Sequence, residues 1–209
     1  LNYVTLYYHI EGFGDPALVM HGGLGADHTT FLNSGFNKLS NQLELIYYDH
    51  RCNGRSSFPE IETLTHENLA ADAENLRIAL DHKNLTVIGH SYGGITGLEY
   101  ALRYPKNLRR LILITTTPSG TGLGEARKIA ETRAPHLMDA VDKMLSGNCA
   151  TDDEFIELLT ILAPLYFKDF HLFEDKFSEA AKDMVPNAAA FQHSFSELLP
   201  KYDLREKLA

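Results

Sequence analysis

An α/β fold, a mostly parallel sheet with helices on both faces and a helical insertion toward the C-terminal end, is what this sequence predicts. Three observations predict it. Up to about residue 120, short β-branched and aromatic runs bounded by Gly, Pro and Asn alternate with longer helical patterns. That alternation is the mark of parallel strands joined by crossover helices. The later short runs are apolar almost throughout, as strands covered on both faces are. Beyond Gly120 strand candidates stop and helical patterns of mixed charge take over.

Strands are expected at residues 4–10, 17–20, 43–48, 85–88 and 111–114, the last three in the sheet centre. Between the third and fourth, Thr65 stands as a helix N-cap with Asn68 three positions on. Leu69, Ala73, Leu76 and Leu80 then repeat at helical spacing and form one apolar stripe. After the fourth strand, residues 95–104 read as a helix stopped by Pro105, which has no N–H to donate and clashes with the preceding turn. The expected layout is a core over 1–122, a helical insertion over 123–201, and a return segment at 202–209 that stops before any further strand. The start at Leu1 rather than at a methionine also reads as a trimmed or partial chain.

The 209 residues, 44% of them hydrophobic, suit one domain with an insertion. A formal charge of −9, with no segment concentrating Lys or Arg, argues against nucleic acid as a partner. The longest apolar runs fall far short of the roughly 20 residues that span a bilayer, and no charged-then-apolar leader opens the chain, so a soluble, cytoplasmic protein is expected. Cys52 and Cys149 stand far apart without metal-ligand spacing around them. They indicate neither a disulfide framework nor a metal site, and no cofactor is called for.

The chemistry concentrates in Gly89-His90-Ser91-Tyr92-Gly93, preceded by an apolar strand and followed by a helix. This is a G-x-S-x-G sequence in the strand-turn-helix context that lifts a serine above a sheet on a strained turn. Ser91 is the candidate nucleophile. The next helix would aim its N-terminal N–H groups at developing negative charge, with Tyr92 supplying one of them. A second glycine loop, HGGLG at residues 21–25, follows the second strand. There Gly23, with Leu24 next, is the candidate for a second oxyanion donor. His21 reads either as a hydrogen-bonded structural histidine or as a catalytic one, the structural role being favoured.

Together HGGLG, YYDHRCNGRS at 47–56, GHSYGG at 89–94 and ALRYP at 101–105 resemble the α/β-hydrolases, and most of all their proline iminopeptidase-like branch. The resemblance follows the order and spacing of the motifs along most of the chain. It implies serine chemistry on an ester, amide or lactone of a small molecule or short peptide, with residues 123–201 as a cap that selects the substrate. It also implies that Asp49, Arg51 and Arg55 brace loops. Two positions depart from the branch, with Leu24 where proline is usual and Cys52 where glycine is usual. The cap shows no counterpart of the acidic subsite of prolyl aminopeptidases, which weakens that activity. Glu154 and Glu157 are the candidates for binding a substrate amine, against the plainer reading of solvated helix glutamates.

A serine hydroxyl needs a histidine to take its proton and a carboxylate to orient that histidine. The resemblance places both after the cap, beyond two further strands that this sequence does not contain. His136, His171 and His193 all fall within the expected insertion, and no carboxylate follows the last strand, which leads into Thr115-Thr116-Thr117-Pro118. Half of an active site is therefore expected. A competing reading makes the chain an inactive scaffold that binds or dimerises through the open hydrophobic edge of its last strand.

Overall fold

The computed structural model describes residues 4–32 and 34–208; the outermost positions of the predicted core and return segment lie outside them. Five strands form one sheet: β1 (Tyr8–Glu11), β2 (Asp15–Met20), β3 (Leu43–Tyr48), β4 (Leu85–His90) and β5 (Leu108–Ile114). Their spatial order is β1-β3-β2-β4-β5. β1 runs antiparallel to β3 and every other pair is parallel. Helices α1 (Thr29–Leu32), α2 (His66–Ala79) and α3 (Tyr92–Arg103) belong to this part of the chain. After β5, the named elements among the described residues are all helical: α4 (Gly122–Arg133), α5 (Met138–Ser146), α6 (Asp152–Tyr166), α7 (Glu174–Asp183) and α8 (Ala188–His193), with shorter turns between. An isolated antiparallel bridge joins Ser119 to Asp203, so the chain leaves for the helices and returns from them at one place.

α2 forms where its cap and stripe predict it. Thr65 accepts the N–H of Asn68 on its hydroxyl, and Leu69, Ala70, Ala73 and Leu76 are buried. Ala70, Ala73 and Leu76 pack with Leu18, Met20, Ile46, Val87 and Tyr100 on one face of the sheet. The opposite face packs Ala17, Val19, Leu45, Tyr47 and Ile88 against Phe31. β2, apolar and buried from Ala17 to Met20, is the central strand, and its C-terminal end delivers the glycine loop.

Three expectations need correction. Residues 4–7 are not part of the first strand. Their backbone is taken up by the loop after β3: Tyr7 accepts from Asp49 N–H, Thr5 accepts from Ser57 N–H, and Ser56 Oγ receives the Tyr7 N–H. β5 lies at an edge of the described sheet rather than in its centre, leaving Ile112 and Leu113 43% and 41% exposed. An apolar run reports which faces are meant to be covered; it does not report how many neighbours a strand has. α3 begins at Tyr92, three residues early, because Gly93 and Gly94 tolerate crowding that excludes larger residues.

The loop after β3 is bolted to α2 by a buried ion pair. Arg51 places Nε and Nη2 on the two carboxylate oxygens of Asp72 at 2.6 and 2.7 Å, and a third N–H reaches Thr63 O at 3.1 Å. Arg51 and Asp72 are 2% and 3% exposed. Removing one member of such a pair strands the other charge away from water. Asp72→Ala is expected to lower unfolding stability by about 3–5 kcal/mol in a urea titration; a loss below about 1 kcal/mol would show that Arg51 finds water or another partner.

Candidate active site

Ser91 joins the end of β4 to the first residue of α3 with φ 51° and ψ −118°. A residue with a Cβ rarely occupies that region, and holding it there costs on the order of 1–3 kcal/mol. The conformation persists because its backbone is gripped on several sides. Ser91 donates its N–H to Ile114 O at 2.9 Å, and its carbonyl accepts from Gly94 N–H at 3.0 Å and from Thr116 Oγ1 at 2.7 Å. Two of those grips come from the end of β5.

The two glycine motifs meet here. A Cβ placed on Gly22 would lie 2.8 Å from Ser91 Cβ and 2.9 Å from His90 O, so the loop rests against the serine only because Gly22 lacks a side chain. Gly93 is similarly pressed against His21 O, where a Cβ would come within 2.6 Å. Gly23 differs: it has open space around it and a φ of +54°, which makes conformation rather than room its reason for being glycine. Among the described residues, the N–H groups of Gly23 and Leu24 donate to no acceptor. Tyr92 is the first residue of α3, so its N–H has no acceptor within the helix. The Leu24 side chain is fully buried in a cluster with Leu64, Tyr92 and Ile95.

His21 is spent on the loop itself. Its Nε2 accepts the N–H of His50 at 3.1 Å, which leaves the proton on Nδ1, donated to Gly22 O at 3.1 Å. Burial lowers the pKa of His21 against the opposing pull of Asp49, and burial likewise pushes His50 well down. The two ring centroids lie 4.3 Å apart with their planes tilted by 48°. His66 meets the Tyr92 hydroxyl at 2.8 Å, and burial brings its pKa down to about 4 despite Glu99. Burial raises the Tyr92 pKa, so the phenol keeps its proton.

Asp49, Arg51 and Arg55 all act as braces. Asp49 accepts from His28 Nδ1 at 2.6 Å, from His28 N–H at 3.0 Å and from Arg55 N–H at 2.8 Å. Burial alone would raise its pKa; these hydrogen bonds, with the nearby His21, win and hold it at about 2. Asp27, His28 and Asp49 bring potential ligand atoms within 4.8 Å of one another. Hydrogen bonds account for that cluster, since Asp27 also pairs with Arg55 at 2.9 Å.

The remaining candidates lie elsewhere. Glu154 sits in the first turn of α6, where its carboxylate takes Lys143 Nζ at 2.7 Å and Ala150 N–H at 2.8 Å. That employment as a cap and ion pair gives it a structural use, and Glu157 is exposed on the same helix. His193 Nε2 donates to Leu64 O at 3.1 Å, while His136 and His171 are exposed. Among the described residues no histidine hydrogen-bonds to Ser91 Oγ. Thr116 and Gly22 are partners of Ser91 that sequence reasoning passed over; Gly22 was legible as part of HGGLG, whereas nothing marked Thr116 among three consecutive threonines.

A sequence model of the alpha/beta hydrolase fold matches residues 16–143, more than half of the chain. This chain belongs to the α/β-hydrolase family. Within the family it is similar to proline iminopeptidases. It is 27% identical over 216 aligned positions to proline iminopeptidase PfmaB of Pestalotiopsis fici, covering 100% of this chain and 75% of that protein. The proline iminopeptidase of Lactiplantibacillus plantarum is 30% identical over 180 positions, 81% of this chain and 60% of that one. The enol-lactonase of Burkholderia xenovorans superposes with a TM-score of 0.66 at 24% identity, over 98% of this chain and 74% of that structure, a likeness of fold. As an α/β-hydrolase, the chain thus spans between three fifths and three quarters of these three proteins. Among the described residues no helix is long and apolar enough to cross a membrane.

The low pKa of Asp49 sets a pH window. The unfolded chain takes up this proton near pH 3.8 and the folded chain only near 2, so the contribution is complete above about pH 4 and is lost as pH falls through 2. Urea titrations of the parent and Asp49→Asn should therefore differ by about 2 kcal/mol more at pH 5 than at pH 2. A difference that stays constant over that range would contradict the assignment.

Proposed function

We propose that Ser91 is the nucleophile of a serine hydrolase that cleaves an ester, amide or lactone bond of a small molecule or short peptide. The strained elbow at Ser91, with the glycine loop lying against it, carries this reading. Ser91 Oγ attacks the carbonyl carbon and its proton passes to a general base. The N–H groups of Gly23 and Tyr92, with Leu24 as the alternative to Gly23, receive the negative charge on the former carbonyl oxygen. Collapse of the tetrahedral adduct expels the alcohol or amine, and water then releases the acyl group from Ser91. None of these steps calls for a metal or cofactor.

No general base stands at Ser91 among the described side chains. In the proline iminopeptidase-like pattern the histidine and its acid follow the cap, and residues 123–201 fill the place of that cap. Removal of an N-terminal proline is the alternative activity that the resemblance to proline iminopeptidases offers, weakened because residues 123–201 carry no counterpart of the acidic subsite. Employment of Glu154 in a cap and an ion pair argues against its serving as the amine subsite. A second reading, a scaffold that dimerises through β5, is favoured by the exposure of Ile112 and Leu113 on that edge strand.

The test is a fluorophosphonate probe applied to the protein at its natural full length, with the adduct mapped by peptide sequencing. Labelling is expected at Ser91 and should vanish in Ser91→Ala, together with a fall in ester turnover of at least about 10⁴-fold. Labelling that survives Ser91→Ala would place the nucleophile elsewhere. An absence of any labelling or turnover, with dimers that dissociate when Leu113→Lys is introduced, would favour the scaffold.

A further inference from the structure

The glycine loop has a second neighbour besides Ser91. Residues 183–191, the link from α7 into α8, run directly alongside it, and the contact is made by hydrogen bonds from far along the chain. Asn187 donates its N–H to Gly25 O at 2.8 Å. Val185 donates its N–H to Asp27 Oδ2 at 2.9 Å. Arg55 spans the junction, placing Nη1 on the same Asp27 oxygen at 2.9 Å and Nη2 on Asp183 O at 3.0 Å.

Packing reinforces the polar contacts. A Cβ on Gly25 would come within 2.7 Å of Phe191 Cβ and 2.9 Å of Asn187 O, so the helical segment sits hard against the loop backbone. From the other flank Asn53 Oδ1 accepts the Gly25 N–H at 2.5 Å. Asp27 is fully buried, and its other oxygen accepts Thr29 N–H at 3.0 Å. Its carboxylate therefore has no freedom to move without breaking bonds on both sides. Apart from the Arg55–Asp183 bond, these contacts fall on Gly25 and Asp27, two and four residues beyond Gly23.

We propose that Asp27 and Arg55 form a latch that couples the seating of residues 183–191 to the direction of the Gly23 N–H. They are positioning residues, acting through the loop and not on substrate. The inference rests on the reading of Ser91 and Gly23 given above. Its chemistry needs a fork: a guanidinium holds a carboxylate and a carbonyl at once, while a lysine ammonium on a flexible stem does not keep both in a fixed geometry. A helical segment that lifts away pulls Val185 and Asn187 from the loop, and Gly23, left-handed and tied to the same stretch by the Ala26 N–H on its carbonyl at 2.8 Å, turns with it.

Hydrogen exchange and steady-state ester hydrolysis on the full-length protein test this with Arg55→Lys and Asp27→Asn. Asp27→Asn is close to isosteric but turns an amide NH₂ toward donors; if it does not fold, Arg55→Lys, which keeps the charge at a partly exposed side chain, decides. Expected are faster amide exchange in both 20–27 and 183–191, and a kcat about tenfold lower with KM within about twofold. Faster exchange in 183–191 alone, with kcat unchanged, would overturn the coupling and leave a mere anchor. Exchange unchanged in both segments would overturn it as well. Coupled exchange in a protein whose Ser91 is inert would instead retire the hydrolase reading and keep the coupling of the two segments.

Discussion

Everything at the candidate site depends on one backbone constraint, the grip that holds Ser91 at φ 51° between the end of β5 and the start of α3. A side-chain-bearing residue in that conformation relaxes unless its surroundings over-determine it. Here Ile114 O, Thr116 Oγ1 and Gly94 N–H each fix one backbone group of Ser91, and Gly22 closes the remaining side. Thr115 shares the burden, with a φ of 45° that is rare for a β-branched residue. The strain thus spreads over two adjacent strand ends, β4 and β5, that the central sheet aligns in register.

The polar interior serves the same end. The loop after β3 carries Asp49, His50, Arg51 and Asn53, all buried, and each reaches another loop or helix: His28, His21, Asp72 with Thr63, and Gly25 in turn, with Arg55 of the same loop also on Asp49 and only His50 Nδ1 among these side chains left without a partner. Buried polar groups hold position well when each is satisfied and are costly when one is not. Two of these partners, His21 and Gly25, belong to the glycine loop, so the loop over Ser91 is supported by polar contacts while the sheet beneath it is held by apolar ones. The helices beyond residue 121 add a third support through Asn187 and Val185.

Much of this was legible in the sequence where a physical demand leaves a local mark. Gly89, Gly93 and Gly22 mark close approaches, Thr65 marks a helix start, and the apolar runs mark four of the five strands well. The resemblance to α/β-hydrolases, drawn from HGGLG and GHSYGG, is borne out by the family match, as is the mostly parallel α/β sheet. What stayed hidden depends on partners distant in sequence. Residues 4–7 have strand composition but give their backbone to Ser56, Ser57 and Asp49, and β5 looks central by composition while lying at an edge. Asp27 and Thr116 look like ordinary loop residues until the fold brings Val185 and Ser91 to them. Glu154 carried the right charge for an amine, yet its place three residues after Thr151 makes it a helix cap.

The most direct measurement is a crystal structure of the full-length protein phosphonylated at the candidate nucleophile. The account predicts a covalent bond from phosphorus to Ser91 Oγ, with one phosphoryl oxygen about 2.7–3.1 Å from the N–H groups of both Tyr92 and Gly23. Phosphorus on another residue, or an oxygen held by neither N–H, would contradict it.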